Sequence, residues 1–295
     1  GQVGTSEPWP LALEGRRSTR THNRLSRNWR RAFRSPVPLA VGRKIQLSML
    51  PDAPPQVPGW EFAVHYQAAR EVGGDFYDFF ELPAGPPDPG EPSGASDHRL
   101  GLVLGDVTGK GVPAALFMAR ASTMMRTVAL GGRGPAEAVE HADELILKNT
   151  RSPLFLSALY AILDPHTSRL VYANAGHNPP LWLQAASGQI RELTARGILL
   201  GAFGGIEMEE REIELAPGDL LVFYTDGVTE AMDADRQEFG EQRLQATIAT
   251  HAGAGAHAGA GAQQVLESVV DAVQAHSGGA PPSDDMTLLV IRRCR

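Results

Sequence analysis

The chain has 295 residues, 42% of them hydrophobic, and a formal net charge of −7. That length can bury a substantial core; no apolar run is long enough to span a bilayer, and no signal peptide is visible at the start. The single Cys294 excludes an internal disulfide and a cysteine-built metal site, and it fits a reducing, cytoplasmic setting.

The charge is unevenly placed. Residues 1–45 hold nine Arg and one Lys against Glu7 and Glu14, a balance of +8, and the remainder stands at −15. An acidic body is poorly suited to nucleic acid, so none is expected as a partner. Residues 1–45 read as a basic, Arg-rich N-terminal extension or linker, and 46–295 as one domain. Two readings of the arm stay open. One is a solvated tail. The other is a basic amphipathic helix in which Leu25, Trp29 and Phe33 share a face, ended by Pro36 and Pro38. The chain begins at Gly1 rather than Met, as expected of a fragment or a processed chain.

From Gly42 the pattern becomes globular. A short helix is expected over 43–50, closed by Pro51. Trp60, Phe62, Val64 and Tyr66 alternate with more polar neighbours and predict a half-buried strand. A second strand is expected over 75–82, a Pro/Gly/Ser-rich hairpin loop over 83–98, and an internal apolar strand over 99–106. Pro113 opens a long helix, where its missing N–H costs nothing; Leu116, Met124 and Val128 are expected on its buried side. A second helix follows over 135–148. Strands are then expected at 154–163, 170–173, 181–184 and 189–193. Residues 210–215 and 220–224 are expected to pair across the turn at Pro217-Gly218. Helices near 240–250 and 263–275 bracket an Ala/Gly-rich connection over 251–262, and a last strand spans 286–292. Short turns between successive strands predict antiparallel pairing. So many strands require two stacked sheets with helices on their outer faces, an α+β arrangement.

Four stretches carry the chemistry: Val72-Gly73-Gly74-Asp75-Phe76-Tyr77-Asp78, Leu104-Gly105-Asp106-Val107-Thr108-Gly109-Lys110-Gly111, Tyr224-Thr225-Asp226-Gly227 and Asp284-Asp285-Met286-Thr287. Each places an aspartate beside glycine or at an expected strand end, where a carboxylate is held rigidly. Gathered together without a cation, these groups would repel one another and take up protons. Oxygen donors without His or Cys favour Mg²⁺ or Mn²⁺ over zinc. Taken singly, each stretch is equally well a turn or a helix cap.

Together, in this order, and with Ile45-Gln46, Asn174-Ala175-Gly176-His177-Asn178-Pro179-Pro180-Leu181 and Pro217-Gly218-Asp219, they resemble the bacterial SpoIIE/RsbU-type branch of the metal-dependent PP2C (PPM) Ser/Thr phosphatases. The resemblance covers residues 43–292. It implies a PP2C-like α-β-β-α sandwich with a site for two Mn²⁺ or Mg²⁺ ions at one edge of the sheets. By position, Asp75 matches a ligand of one metal and Asp106 the carboxylate bridging both. The Val107 carbonyl matches the completion of the first site, and Asp226 and Asp284 match ligands of the second. Asp285 stands where the family has Asp or Asn beside the ligand and reads as a support behind it, with a swap of roles between it and Asp284 left open. The implied activity is hydrolysis of phosphoserine or phosphothreonine on a regulatory protein, a STAS-domain anti-anti-sigma factor, without a phosphoenzyme. An upstream sensor domain is a further implied partner, and a homodimer stays open.

Thr108 stands where eukaryotic members carry His, which leaves the proton donor unassigned. Arg70 matches the spacing of a phosphate-contacting Arg, or pairs with Glu71 on the surface. His177 reads as a structural turn histidine. Lys110 reads as a solvated loop charge or an aid to phosphoprotein recognition. A catalytically silent partner-binding module is the competing reading; missing ligands would favour it, and none is missing.

Overall fold

The computed structural model describes residues 39–82, 99–149, 153–251 and 260–294. In chain order the elements are α1 (Leu39–Leu47), β1 (Trp60–Gln67), β2 (Phe76–Leu82), β3 (Arg99–Val107), α2 (Val112–Ala129), α3 (Pro135–Asn149), β4 (Leu156–Asp164), β5 (Arg169–Ala175), β6 (Leu181–Leu183), β7 (Ile190–Glu192), β8 (Glu210–Glu214), β9 (Leu220–Tyr224), α4 (Asp226–Thr229), α5 (Gly240–Thr250), α6 (Ala262–His276) and β10 (Met286–Arg293). The expected loop at 83–98, most of the Ala/Gly-rich connection and the arm before Leu39 lie outside the described residues.

The strands form two five-stranded sheets. One has the order β1-β10-β9-β6-β7 and the other β2-β3-β4-β5-β8, and every pairing is antiparallel. Helices α2 and α3 lie on the outer face of the β2-β8 sheet, and α6, with α5 against it, covers the β1-β7 sheet. The result is four layers, α-β-β-α.

Period-two burial explains the layering. In β10, Leu289 and Ile291 join the core between the sheets, while Leu288 and Val290 join the core under α5 and α6. In β9, Leu221 and Phe223 face the first core and Val222 and Tyr224 the second. A strand covered on both faces must be apolar throughout, and Leu220–Tyr224 is.

Two expectations are corrected. Strands β8 and β9 do not pair: β8 is the edge partner of β5, and β9 lies between β10 and β6. The Pro217-Gly218 turn therefore carries the chain from one sheet to the other. Leu116 is not on the buried side of α2 but 69% exposed. That side is made by Ala114, Phe117, Met118, Ala121, Met125 and Val128. The smaller residues of this set let the helix lie close on β2 and β3.

Candidate active site

Strand ends deliver every aspartate. Asp75 immediately precedes β2, and Asp106 is the last residue but one of β3. Phe76 lies opposite Gly105 in that antiparallel pair, so the two carboxylates emerge at the same end. Asp226 opens α4 directly after β9, and Asp284 and Asp285 directly precede β10. Tyr224 lies opposite Leu288, which puts these three at one end of the other sheet.

Asp75 ties the two sheets together. Its side chain is buried, and Oδ2 accepts hydrogen bonds from Thr225 Oγ1 at 2.7 Å and Thr287 Oγ1 at 2.6 Å. The Thr287 backbone N–H donates in turn to Thr225 Oγ1 at 3.0 Å. The carboxylate thus hangs from one sheet and is gripped by hydroxyls of the other.

The loop before Asp75 is bracketed from two sides. Asp285 Oδ1 accepts from the Ala69 N–H at 2.7 Å, and Oδ2 from the Gly74 N–H at 2.6 Å. From α1, Gln46 Nε2 donates to the Gly73 carbonyl at 2.6 Å, and its Oε1 accepts from the Gly73 N–H at 3.0 Å. A Cβ on Gly74 would stand 2.6 Å from the Val107 carbonyl oxygen. Only glycine lets the two loops approach this closely. Asp284 faces the other way: its Oδ2 is 2.8 Å from Lys110 Nζ, which also donates to the Ser283 carbonyl at 2.8 Å.

The electrostatics follow from crowding. Burial, then the Asp106 charge, pushes the Asp75 carboxyl well above the usual carboxylate range, against the Thr287 and Thr225 hydrogen bonds. Burial, then Asp226, lifts Asp106 to about 7, with Asp284 and Asp285 adding to the rise. Burial, then Asp284, raises Asp226, and Lys110 opposes it. All five aspartates lie within electrostatic reach of this cluster.

Among the described residues, no three His, Cys, Asp or Glu side chains close on one point as the ligands of an ion do. Asp75, Asp284 and Asp285 are turned to hydroxyls, an ammonium and amides. The donor set still fits hard divalent cations: it is all oxygen, and the repulsion that raises these carboxyls is what such a cation relieves.

The other candidates are placed as follows. Thr108 Oγ1 donates to the Phe155 carbonyl at 3.0 Å, so its hydroxyl holds the loop to β4. Arg70 is exposed and, among the described residues, forms no ion pair with Glu71 or any other acid. His177 is buried after β5, its Nδ1 2.7 Å from Ser157 Oγ. Ser157 is the cross-strand partner of Asp106. Among the described residues, His177 Nε2 is buried without a hydrogen-bond partner. Burial lowers this imidazole to about 4, so it is neutral near pH 7. Sequence reasoning passed over Gln46, Thr225 and Thr287 as working residues. The available signal was a lone polar group on an otherwise buried face, as Thr287 is in β10.

Four layers with carboxylates at one edge of the paired sheets define a PP2C-type phosphatase fold. The SiaA PP2C domain of Pseudomonas aeruginosa has it: TM-score 0.70 and 23% identity, covering 86% of this chain and 95% of that one. Within that class the chain belongs to the SpoIIE family, whose profile, Stage II sporulation protein E, matches residues 96–294. It is 26% identical over 282 residues to protein IcfG of Synechocystis, covering 86% of this chain and 41% of IcfG. It is 25% identical over 264 residues to the phosphoserine phosphatase RsbU of Bacillus subtilis, covering 86% of this chain and 70% of RsbU. The chain thus spans less than half the length of IcfG.

Proposed function

We propose that this chain is a metal-dependent protein serine/threonine phosphatase that hydrolyses phosphoserine or phosphothreonine on a regulatory protein. The observation that carries the reading is the meeting of Asp75, Asp106, Asp226, Asp284 and Asp285, from four distant segments, at one edge of the sandwich. Bound there, Mn²⁺ or Mg²⁺ ions would supply a nucleophile at neutral pH and neutralise charge during displacement at phosphorus.

The protein's own groups then have distinct tasks. Asp106, which feels both Asp75 and Asp226, would hold such ions together with Asp75, Asp226, Asp284 and the Val107 carbonyl. Thr225 and Thr287 keep Asp75 from swinging away. Asp285 holds the Gly74 amide, which leaves Asp284 as the freer ligand of the neighbouring pair. Thr108, whose hydroxyl is spent on Phe155, is not assigned as proton donor.

The proposed domain is 46–295 with 1–45 as a basic extension, the join falling within α1, which begins at Leu39; the proposed setting is the cytoplasm. The substrate is a phosphorylated STAS-domain anti-anti-sigma factor, in keeping with the similarity to RsbU. The test is phosphate release from such a phosphoprotein with Mn²⁺ and with chelator. Asp106→Asn is expected to lower release by about 10²–10³-fold, as for loss of a group stabilising transition-state charge. Equal release by the variant refutes the assignment.

A further inference from the structure

Of the five aspartates at this edge, four are raised by burial and like charge or held by neutral donors, and one is paired with a cation. Asp75 is held by hydroxyls and Asp285 by amides. Asp284 alone, among the described residues, carries an ion pair, 2.8 Å to Lys110 Nζ. The same ammonium caps the Ser283 carbonyl, so it crosses from the loop after β3 to the loop before β10 and sits at the outer side of the carboxylate cluster. The side chains of the pair are 39% and 31% exposed.

Lys110 sits in a glycine-flanked turn whose base is anchored by Thr108 to Phe155. Gly109 and Gly111 flank it with φ of 89° and 78°, a region that costs glycine little. A Cβ on Gly111 would meet nothing within 4 Å, so no packing locks that side of the loop. The loop leads straight into α2, whose start carries Pro113 and no side-chain cap.

We propose that Lys110 is the internal counter-ion of Asp284, which it yields when the second divalent cation binds, and that this exchange sets the affinity of that second ion. The inference rests on the dimetal reading above. An ammonium and a divalent ion drawn to one carboxylate repel each other. The ion that takes Asp284 therefore competes with Lys110, whereas among the described residues Asp75 and Asp106 carry no such ion pair. The two ions then bind with unequal affinity, the weaker one on the Asp226–Asp284 side. Lys110 acts through Asp284 and is a positioning residue.

The experiment is calorimetric titration of the metal-stripped full chain with Mn²⁺, for the wild type, Lys110→Gln and Lys110→Arg. Expected are two unequal sites in the wild type and a weaker site tightened about two- to fivefold in Lys110→Gln, the range set by a part-exposed ion pair. Lys110→Arg, which keeps the charge, retains the wild-type value. In chelator, Lys110→Gln melts below the wild type, and saturating Mn²⁺ removes that difference because the pair is then already broken. Unchanged or weakened affinity in Lys110→Gln overturns the exchange, as does a Lys110→Arg that behaves like Lys110→Gln. A wild type that binds no Mn²⁺ at all overturns the dimetal reading itself, a different outcome from an unresponsive variant.

Discussion

Replacing Gln46 by Met isolates the bracket that holds the first aspartate loop. The two side chains have nearly the same length, so α1 keeps its packing volume, but Met neither donates to the Gly73 carbonyl nor accepts from the Gly73 N–H. Gln46 is 5% exposed, and Gly73 is buried beside it. Both backbone groups are left without partners away from water. Each hydrogen bond contributes about 0.5–1.5 kcal/mol net, and a stranded buried group costs about 1–3 kcal/mol. The variant should lose about 2–6 kcal/mol, measured by urea unfolding in chelator with an unchanged denaturant slope. Asp75 lies two residues beyond Gly73, so Mn²⁺ affinity should fall in the same variant. A loss below about 0.5 kcal/mol with normal Mn²⁺ binding would refute the idea that α1 holds this loop.

Gly74→Ala should fold and yet bind Mn²⁺ poorly, because its Cβ would press on the Val107 carbonyl at 2.6 Å and force the Asp75 and Asp106 loops apart; circular dichroism and calorimetry read the two effects separately. His177 should make stability depend on pH. Its folded value, about 4, lies below the ordinary 6.5, so the unfolded chain binds its proton first. The contribution is complete above about pH 6.5 and is lost as pH falls toward 4, a change of about 2–4 kcal/mol. The difference in unfolding free energy between the wild type and His177→Phe should follow that window, and a flat difference would show that the imidazole is not neutral when folded.

Much of the fold was legible because its strands are short, apolar and bounded by turn residues. Trp60–Gln67, Arg99–Val107 and Met286–Arg293 lie within a residue of where alternation and Gly/Pro punctuation put them. Sheet membership was not legible at Pro217-Gly218. A tight turn between two strands looks the same whether they pair or part into separate layers; the choice is made by distant partners, β5 for one and β10 for the other. Leu116 misled because it falls out of helical phase with the buried stripe of Ala114, Phe117, Met118, Ala121, Met125 and Val128, which faces β2 and β3. The aspartates were legible because each stands beside glycine or at the end of an apolar run. Their grips were not. A threonine in a strand has good intrinsic reason to be there; the lone polar Thr287 on a buried face hints at a partner, but nothing local says that the partner is a carboxylate 212 residues away, or 150 for Thr225.

The grip on Asp75 crosses the seam between the sheets. A carboxylate rooted in one slab and clasped by the other works as a gauge of how the slabs are aligned: a slip of half an ångström would stretch both clasps together. Any displacement that slid one sheet over the other would therefore reach the aspartate edge through Asp75.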